Sequence, residues 1–120
     1  MARFFLLSCG VLALVPVAAL ALEPKDLAGL WIAKWPNNTQ NSILLGYGDG
    51  RLSGTYLSDE KFACPVAGSL GRANNRIELN VRCPSWSIQM QGIVSGDGLT
   101  INGSYKAYMD AAGDFVMQKR

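Results

Sequence analysis

Histidine is absent from the 120-residue chain. Its absence removes Ser-His-Asp and Cys-His catalysis and most zinc sites. Cysteine is scarce, at three residues. Cys9 falls in the apolar N-terminal run, and Cys64 and Cys83 are matched to each other below, so no thiolate nucleophile or cysteine metal cluster is left. Charge is thin as well: charged side chains make up 17% of the chain and the net charge is +2. A balance so close to neutral supplies no electrostatic footprint for nucleic acid or an anionic lipid surface. No glycine-rich loop precedes a helical pattern, which removes the phosphate cradles. No 3.6-residue period occurs after the N-terminal run. The expectation is a protein that is not an enzyme, with no catalytic residues, no metal site, no cofactor and no nucleic-acid partner.

What is present begins with an export signal. Arg3 supplies a short positive region, Phe4 to Val15 an apolar core, Pro16 a helix break and Ala19-Leu20-Ala21 an A-x-A cleavage site. An uncleaved anchor is the alternative, because the apolar run to Leu22 is nearly long enough to span a bilayer. The cleavage site, with no basic cluster after it, favours removal of residues 1–21, and Cys9 with them. Residues 22–120 then form one domain in a periplasmic or secreted setting, with no membrane span after cleavage.

The stretch Phe62 to Trp86 organises that domain. Arg72-Ala73-Asn74-Asn75 is a polar turn between two arms that alternate apolar and polar residues. Pairing Gly71 with Arg76 sets Leu70 opposite Ile77, Gly68 opposite Leu79, Val66 opposite Val81 and Cys64 opposite Cys83. The register thus predicts a cross-strand disulfide between Cys64 and Cys83, worth about 3 kcal/mol in the chain-entropy view. In a small domain of marginal stability that is a large contribution.

The other segments follow the same rule. Leu27 to Trp35 reads as a strand, ended by the polar loop from Pro36 to Asn41. Asp49-Gly50 is a strong hairpin signal between Ser42–Tyr47 and Arg51–Leu57. It pairs Tyr47 with Leu52, Leu45 with Gly54 and Ile43 with Tyr56, all expected on one face. Ser58 to Lys61 is a turn. Trp86–Gly96 and Leu99–Ala107 flank Asp97-Gly98, which sets Val94 against Ile101, Gly92 against Gly103 and Met90 against Tyr105. Met109–Gly113 is the last turn and Asp114–Lys119 the last strand. Three turn registers agree on one apolar face, which is consistency across levels rather than a single propensity. Tight successive hairpins leave no Greek-key crossover, so the expected fold is all-β: an eight-stranded antiparallel up-and-down barrel, a meander with one disulfide. At that strand number the interior is filled by side chains or holds one small ligand.

Gly29-Leu30-Trp31 resembles the G-x-W that opens the barrels of lipocalins and avidins. Asp49-Gly50-Arg51-Leu52-Ser53-Gly54-Thr55-Tyr56-Leu57-Ser58 resembles the second avidin hairpin, D-G-x-L-x-G-x-Y-x-S. The resemblance implies a calycin-type barrel in which Tyr56 and Ser58 touch a ligand's polar head group, as the matching residues touch biotin in avidins. Ala33 stands where avidins carry an asparagine. A second similarity is to small exported barrels that inhibit secreted metalloproteases, which also open on L-x-G-x-W and carry one disulfide, though in other strands.

Trp31, Tyr56, Trp86 and Tyr105 share the apolar face, where core packing is the first reading and ligand contact the second. The glycines on that face, Gly54, Gly68, Gly92 and Gly103, suit strand bending with a large side chain laid across them, or a cavity. The expected function is a binding module that holds a small hydrophobic or amphipathic ligand at one barrel mouth, with Trp31, Tyr56, Ser58 and Trp86 as its contacts. Binding of a protein partner, as an inhibitor acting through Trp35 to Asn41 or the N-terminal lead-in, is the alternative. A structural envelope protein without a ligand is the third.

Overall fold

The structure is a computed structural model that describes residues 21–58, 62–71 and 73–120. The expected leader, apart from Ala21, lies outside the described residues, as do Asp59, Glu60 and Lys61 of one turn and Arg72 of another.

Period-2 alternation becomes strand wherever it occurs. The strands are β1 (Gly29–Lys34), β2 (Gln40–Gly48), β3 (Arg51–Leu57) and β4 (Ala63–Gly71). They are followed by β5 (Arg76–Arg82), β6 (Ser87–Val94), β7 (Thr100–Ala107) and β8 (Ala112–Lys119). Burial alternates residue by residue along β5 and β6, so one face is dry and the other wet. All neighbours pair antiparallel in chain order, and β8 returns to β1 to close the barrel. The closing seam pairs Val116 with Lys34, Met117 with Ala33, Gln118 with Ile32 and Lys119 with Trp31.

The three hairpin registers stand as expected. Tyr47 pairs with Leu52, Leu70 with Ile77, and Val94 with Ile101, each with its predicted neighbours. Asp49 and Gly50 both take positive φ, 54° and 75°, which gives the turn the twist of the strands it joins. Cys64 and Cys83 are bonded, with Cα atoms 4.9 Å apart, across the barrel-facing side of β4 and β5.

The structure corrects the ends of several elements. Leu27 belongs not to the first strand but to a 3-10 turn, Pro24–Leu27, which proline favours at its first position. A second 3-10 turn, Tyr108–Asp110, lies between β7 and β8. Gln40 and Asn41 join β2 rather than the preceding loop, and Ala112 and Gly113 join β8. Tyr47 is 58% exposed, although its register partners face inward: it stands at the hairpin end, beyond the packed interior.

The interior is full. Trp31, Ile43, Leu52, Leu79, Met90, Ile101 and Met117 are essentially closed to solvent. The space left by Gly92 and Gly103 is occupied by an aliphatic side chain rather than open as a cavity: a Cβ on Gly92 would sit 3.0 Å from Ile101 Cγ2. A Cβ on Gly68 would meet Leu79 Cδ2 at 2.7 Å. The strands also approach their neighbours more closely here than any side chain permits. A Cβ on Gly103 would lie 2.0 Å from the Gln91 carbonyl oxygen. These glycines are bending points laid under large side chains, as strand glycines commonly are.

One end of the barrel is capped by the 3-10 turn. Leu27 is fully buried, and its carbonyl accepts the indole N–H of Trp31 at 2.9 Å. Lys119 Nζ donates to the Asp26 carbonyl at 2.9 Å, tying the last strand to the same turn. Gly29 enters β1 with φ at 134°, a conformation L side chains rarely adopt, and Lys119 Cε crosses 3.1 Å from its notional Cβ. The G-x-W segment is therefore explained by the closure of this end. The β6–β7 turn at this end is ordered by Asp97, whose Oδ1 accepts from Ser95 Oγ at 2.6 Å and from the Leu99 amide at 3.0 Å. Those two bonds, the Ser95 hydroxyl first, hold the Asp97 carboxyl below its ordinary pKa of 3.8.

Two outcomes follow from these contacts. Gly103→Ala should destabilise the fold by about 3 kcal/mol in urea unfolding, because a backbone oxygen blocks the added methyl. Gly48→Ala, with nothing within 4 Å of its Cβ, should be close to neutral in the same assay. Asp97, with a folded pKa below its unfolded value, stabilises the fold at pH values above the unfolded pKa. The stability gap between wild type and Asp97→Asn should therefore be constant near neutrality. It should shrink as pH falls below about 4 through the folded pKa, in thermal melts taken across that range.

Candidate functional site at the open mouth

An up-and-down barrel sends alternate connections to opposite ends. The 3-10 cap closes the end that carries the Asp49-Gly50 and Asp97-Gly98 turns. The other end gathers the connections β1–β2, β3–β4, β5–β6 and β7–β8. There the side chains open into a cavity of about 320 Å³, lined by Trp35, Pro36, Asn37, Thr39, Asn41, Tyr56, Ile88 and Tyr105. That volume is at the lower limit of small-molecule pockets.

The cavity is graded from floor to lip. Tyr56, Ile88 and Asn41 form the floor, 4%, 7% and 8% exposed. Trp35 and Tyr105 are half-buried walls, and Pro36, Asn37 and Thr39 make an exposed lip. The walls are held by ring contacts: Trp35 meets Tyr105 edge-to-face at 5.1 Å and tilts against Phe115 at 6.1 Å. Tyr105 and Pro36 in turn lie over Gly113, both within about 3.2 Å of its notional Cβ.

Asn41 ties floor to wall. Its Oδ1 accepts the Trp35 indole N–H at 2.7 Å, and its Nδ2 donates to the Leu57 carbonyl at 3.1 Å. One side chain thereby spans β1, β2 and β3 at their mouth ends. The lip is equally ordered. Trp35 N–H donates to the Thr39 carbonyl and Asn38 N–H to the Trp35 carbonyl, at 3.0 and 2.9 Å. Asn37 Oδ1 accepts both the Thr39 amide at 3.1 Å and the Thr39 hydroxyl at 2.6 Å. A loop closed by four internal bonds keeps its shape when a ligand arrives, which lowers the cost of binding.

Of the four residues expected to contact a ligand, the structure brings Tyr56 and Trp86 together, and only Tyr56 lines the mouth. Tyr56 lies in the cavity floor. Trp86 packs edge-to-face on Tyr56 at 5.7 Å and, rather than lining the mouth, borders a lateral groove of about 400 Å³ with Arg82, Ser87, Gln89 and Tyr108. Ser58 caps the β3–β4 turn: its Oγ accepts the Phe62 amide at 3.0 Å. Trp31 is buried in the core, its N–H committed to the capped end. The lateral groove is larger and lies beside the mouth, sharing Ile88 with it, but its lining comes only from β5, β6 and the turns that follow β5 and β7. The mouth draws on β1, β2, β3, β6 and β7 and has a buried floor.

No family model, curated protein or solved structure matches the chain. The closed eight-stranded antiparallel barrel is compatible with a calycin-like fold.

The sequence placed Trp35 to Asn41 together as a separate protein-binding element and left Tyr105, on the apolar face, as core or ligand contact. Within that element Asn41 read only as part of the polar loop. The signal that unites them is topological: Trp35 follows the end of an odd strand, Asn41 lies near the start of an even one, and both come to the end where Tyr56 lies near the close of β3.

Asn41→Leu should leave the Trp35 indole N–H without its acceptor and destabilise the fold by about 1–3 kcal/mol. Hydrogen exchange read by NMR should then speed up at the Trp35 indole proton. The Trp31 indole proton, bonded to Leu27 in the capped end, should remain protected.

Proposed function

We propose that this protein is a non-catalytic binding module of the calycin type that works outside the cytoplasm and holds a small amphipathic ligand at its open mouth. The observation that carries the reading is the cavity floored by Tyr56, Ile88 and Asn41, built on a rigid β scaffold and ordered before any ligand is present. The packed interior supports a shallow site, because Trp31, Met90 and Met117 fill the space a deep lipocalin-type ligand needs. Tyr56 stands where the resemblance to avidins puts a head-group contact, whereas the Ser58 hydroxyl oxygen is engaged by the Phe62 amide. That difference argues for a ligand other than biotin. The Cys64–Cys83 disulfide and the cleavable leader support export. No helix among the described residues is long and apolar enough to cross a membrane.

A protein-binding role is the second reading, favoured by the apolar side chains around the same end. Leu57, Phe62, Tyr108 and Met109 are all exposed there, Met109 at 80%. Met109 also holds φ at 66°, in the left-handed region that residues other than glycine, asparagine and aspartate seldom adopt.

Native mass spectrometry of protein recovered from its own compartment separates the two. The expected spectrum of the wild type carries a small-molecule adduct that is lost in Thr39→Trp, a lip substitution that covers the cavity without touching the core. A protein adduct that survives Thr39→Trp and disappears in Met109→Ser would instead establish the second reading.

A further inference from the structure

Resting on the mouth as the binding site, we infer that its ligand is a neutral saccharide, a single pyranose unit or the end of a short oligosaccharide. The lining carries no carboxylate, lysine or arginine: it is the rings of Trp35, Tyr56 and Tyr105, two amides, the Thr39 hydroxyl, one proline and one isoleucine. No opposite charge in it would compensate the desolvation of a carboxylate, a phosphate or an amine.

The polar atoms on offer are neutral and mixed in sense. Asn37 accepts both of its bonds through Oδ1, so its NH₂ group remains a donor at the lip. The Thr39 hydroxyl gives its proton to Asn37 and is left as an acceptor. The Tyr105 hydroxyl lies beside Gly113 and makes no hydrogen bond to the described residues. It both donates and accepts. Sugar hydroxyls also donate and accept, and a ring bearing several of them satisfies such a set at once. A wholly apolar ligand would cover these groups without pairing them, a loss that sites built for hydroxyls use to reject their deoxy or apolar analogues.

Trp35, Tyr56 and Tyr105 supply the complementary surface. Their π faces are negative, and the C–H bonds on one side of a pyranose are polarised toward positive hydrogen. A quaternary ammonium would use the same rings, but it would leave Asn37, Thr39 and Tyr105 without partners. The cavity is small and opens outward, so one ring sits inside and a chain attached to it runs over the lip between Asn37 and Thr39.

The test is a ¹⁵N–¹H NMR titration of the full mature protein with N-acetylglucosamine, methyl glucoside and cellobiose, and with tetramethylammonium and indole as competitors in kind. At least one sugar should give saturable shifts centred on Trp35, Asn37, Thr39 and Tyr105. That response should be the same at low and high salt, as expected for a neutral ligand. Tyr105→Phe, which keeps the ring and the fold, should weaken the sugar about fivefold and leave indole unchanged. If tetramethylammonium or indole shifts the mouth and no sugar does, the saccharide is wrong and the mouth stands. Equal weakening of sugar and indole by Tyr105→Phe also overturns the saccharide, since the hydroxyl then plays no part in selection. If no probe shifts the mouth, and Thr39→Trp leaves the natively retained mass in place, both the saccharide and the mouth fall.

Discussion

Closure is the constraint on which everything else depends. Eight short strands must curve until β8 meets β1, and here they do so along a seam from Val116–Lys34 to Lys119–Trp31. Curvature of that degree brings adjacent backbones together at points where a side chain cannot fit. Gly54, Gly68, Gly92 and Gly103 stand at those points, each with a neighbouring carbonyl oxygen within 2.7 Å of where its Cβ would be. The glycines are thus part of the barrel's geometry rather than openings in its wall. A barrel this narrow has an interior that side chains can fill, and here they do.

A filled interior leaves no room for a ligand inside the barrel, and the two ends differ. At one, the turn Pro24–Leu27 inserts Leu27 beneath Trp31, and Lys119 fastens the last strand across it. At the other, no element of the chain plugs the barrel among the described residues. The apolar packing gives way there to Tyr56, Asn41, Trp35 and Tyr105, residues with an apolar body and a polar tip. The Cys64–Cys83 bond lies next to this end: Cys64 pairs with Tyr56, and the Cys83 amide donates to the Trp86 carbonyl. The disulfide therefore holds β4 and β5 together beside the Tyr56–Trp86 ring pair, where a hairpin end would otherwise fray. Stability and site geometry share this device. In a domain with so small a core, the same covalent link serves both.

Much of the fold was legible in the chain. The Asp49-Gly50 turn and the Asn74-Asn75 turn set their registers, and a register with period 2 decides at once which side chains face inward. The opposition of Cys64 and Cys83 followed from the same count. Element ends were less legible. Pro24 to Leu27 looks like a strand lead-in until its backbone is seen folded under the barrel. Asn41 reads as a polar loop residue until Trp35 is found bonded to it. The candidate site was read only in part. Tyr56 was found through its place in a hairpin motif, whereas Trp31, on the same face, belongs to the opposite, capped end.

The amino-acid order alone dictated the number of strands, their pairing and the dry face, because alternation and turn chemistry are local properties of the chain. Only the closed barrel decided that the interior is solid and that the glycine notches are filled by Leu79 and Ile101. Only closure, too, brought Trp35, Asn41, Tyr56, Ile88 and Tyr105 around one opening. The physical reason is that these residues sit on four different strands and just past the end of a fifth. Their nearness is set by curvature and stagger summed around the whole barrel, a quantity that no single hairpin carries.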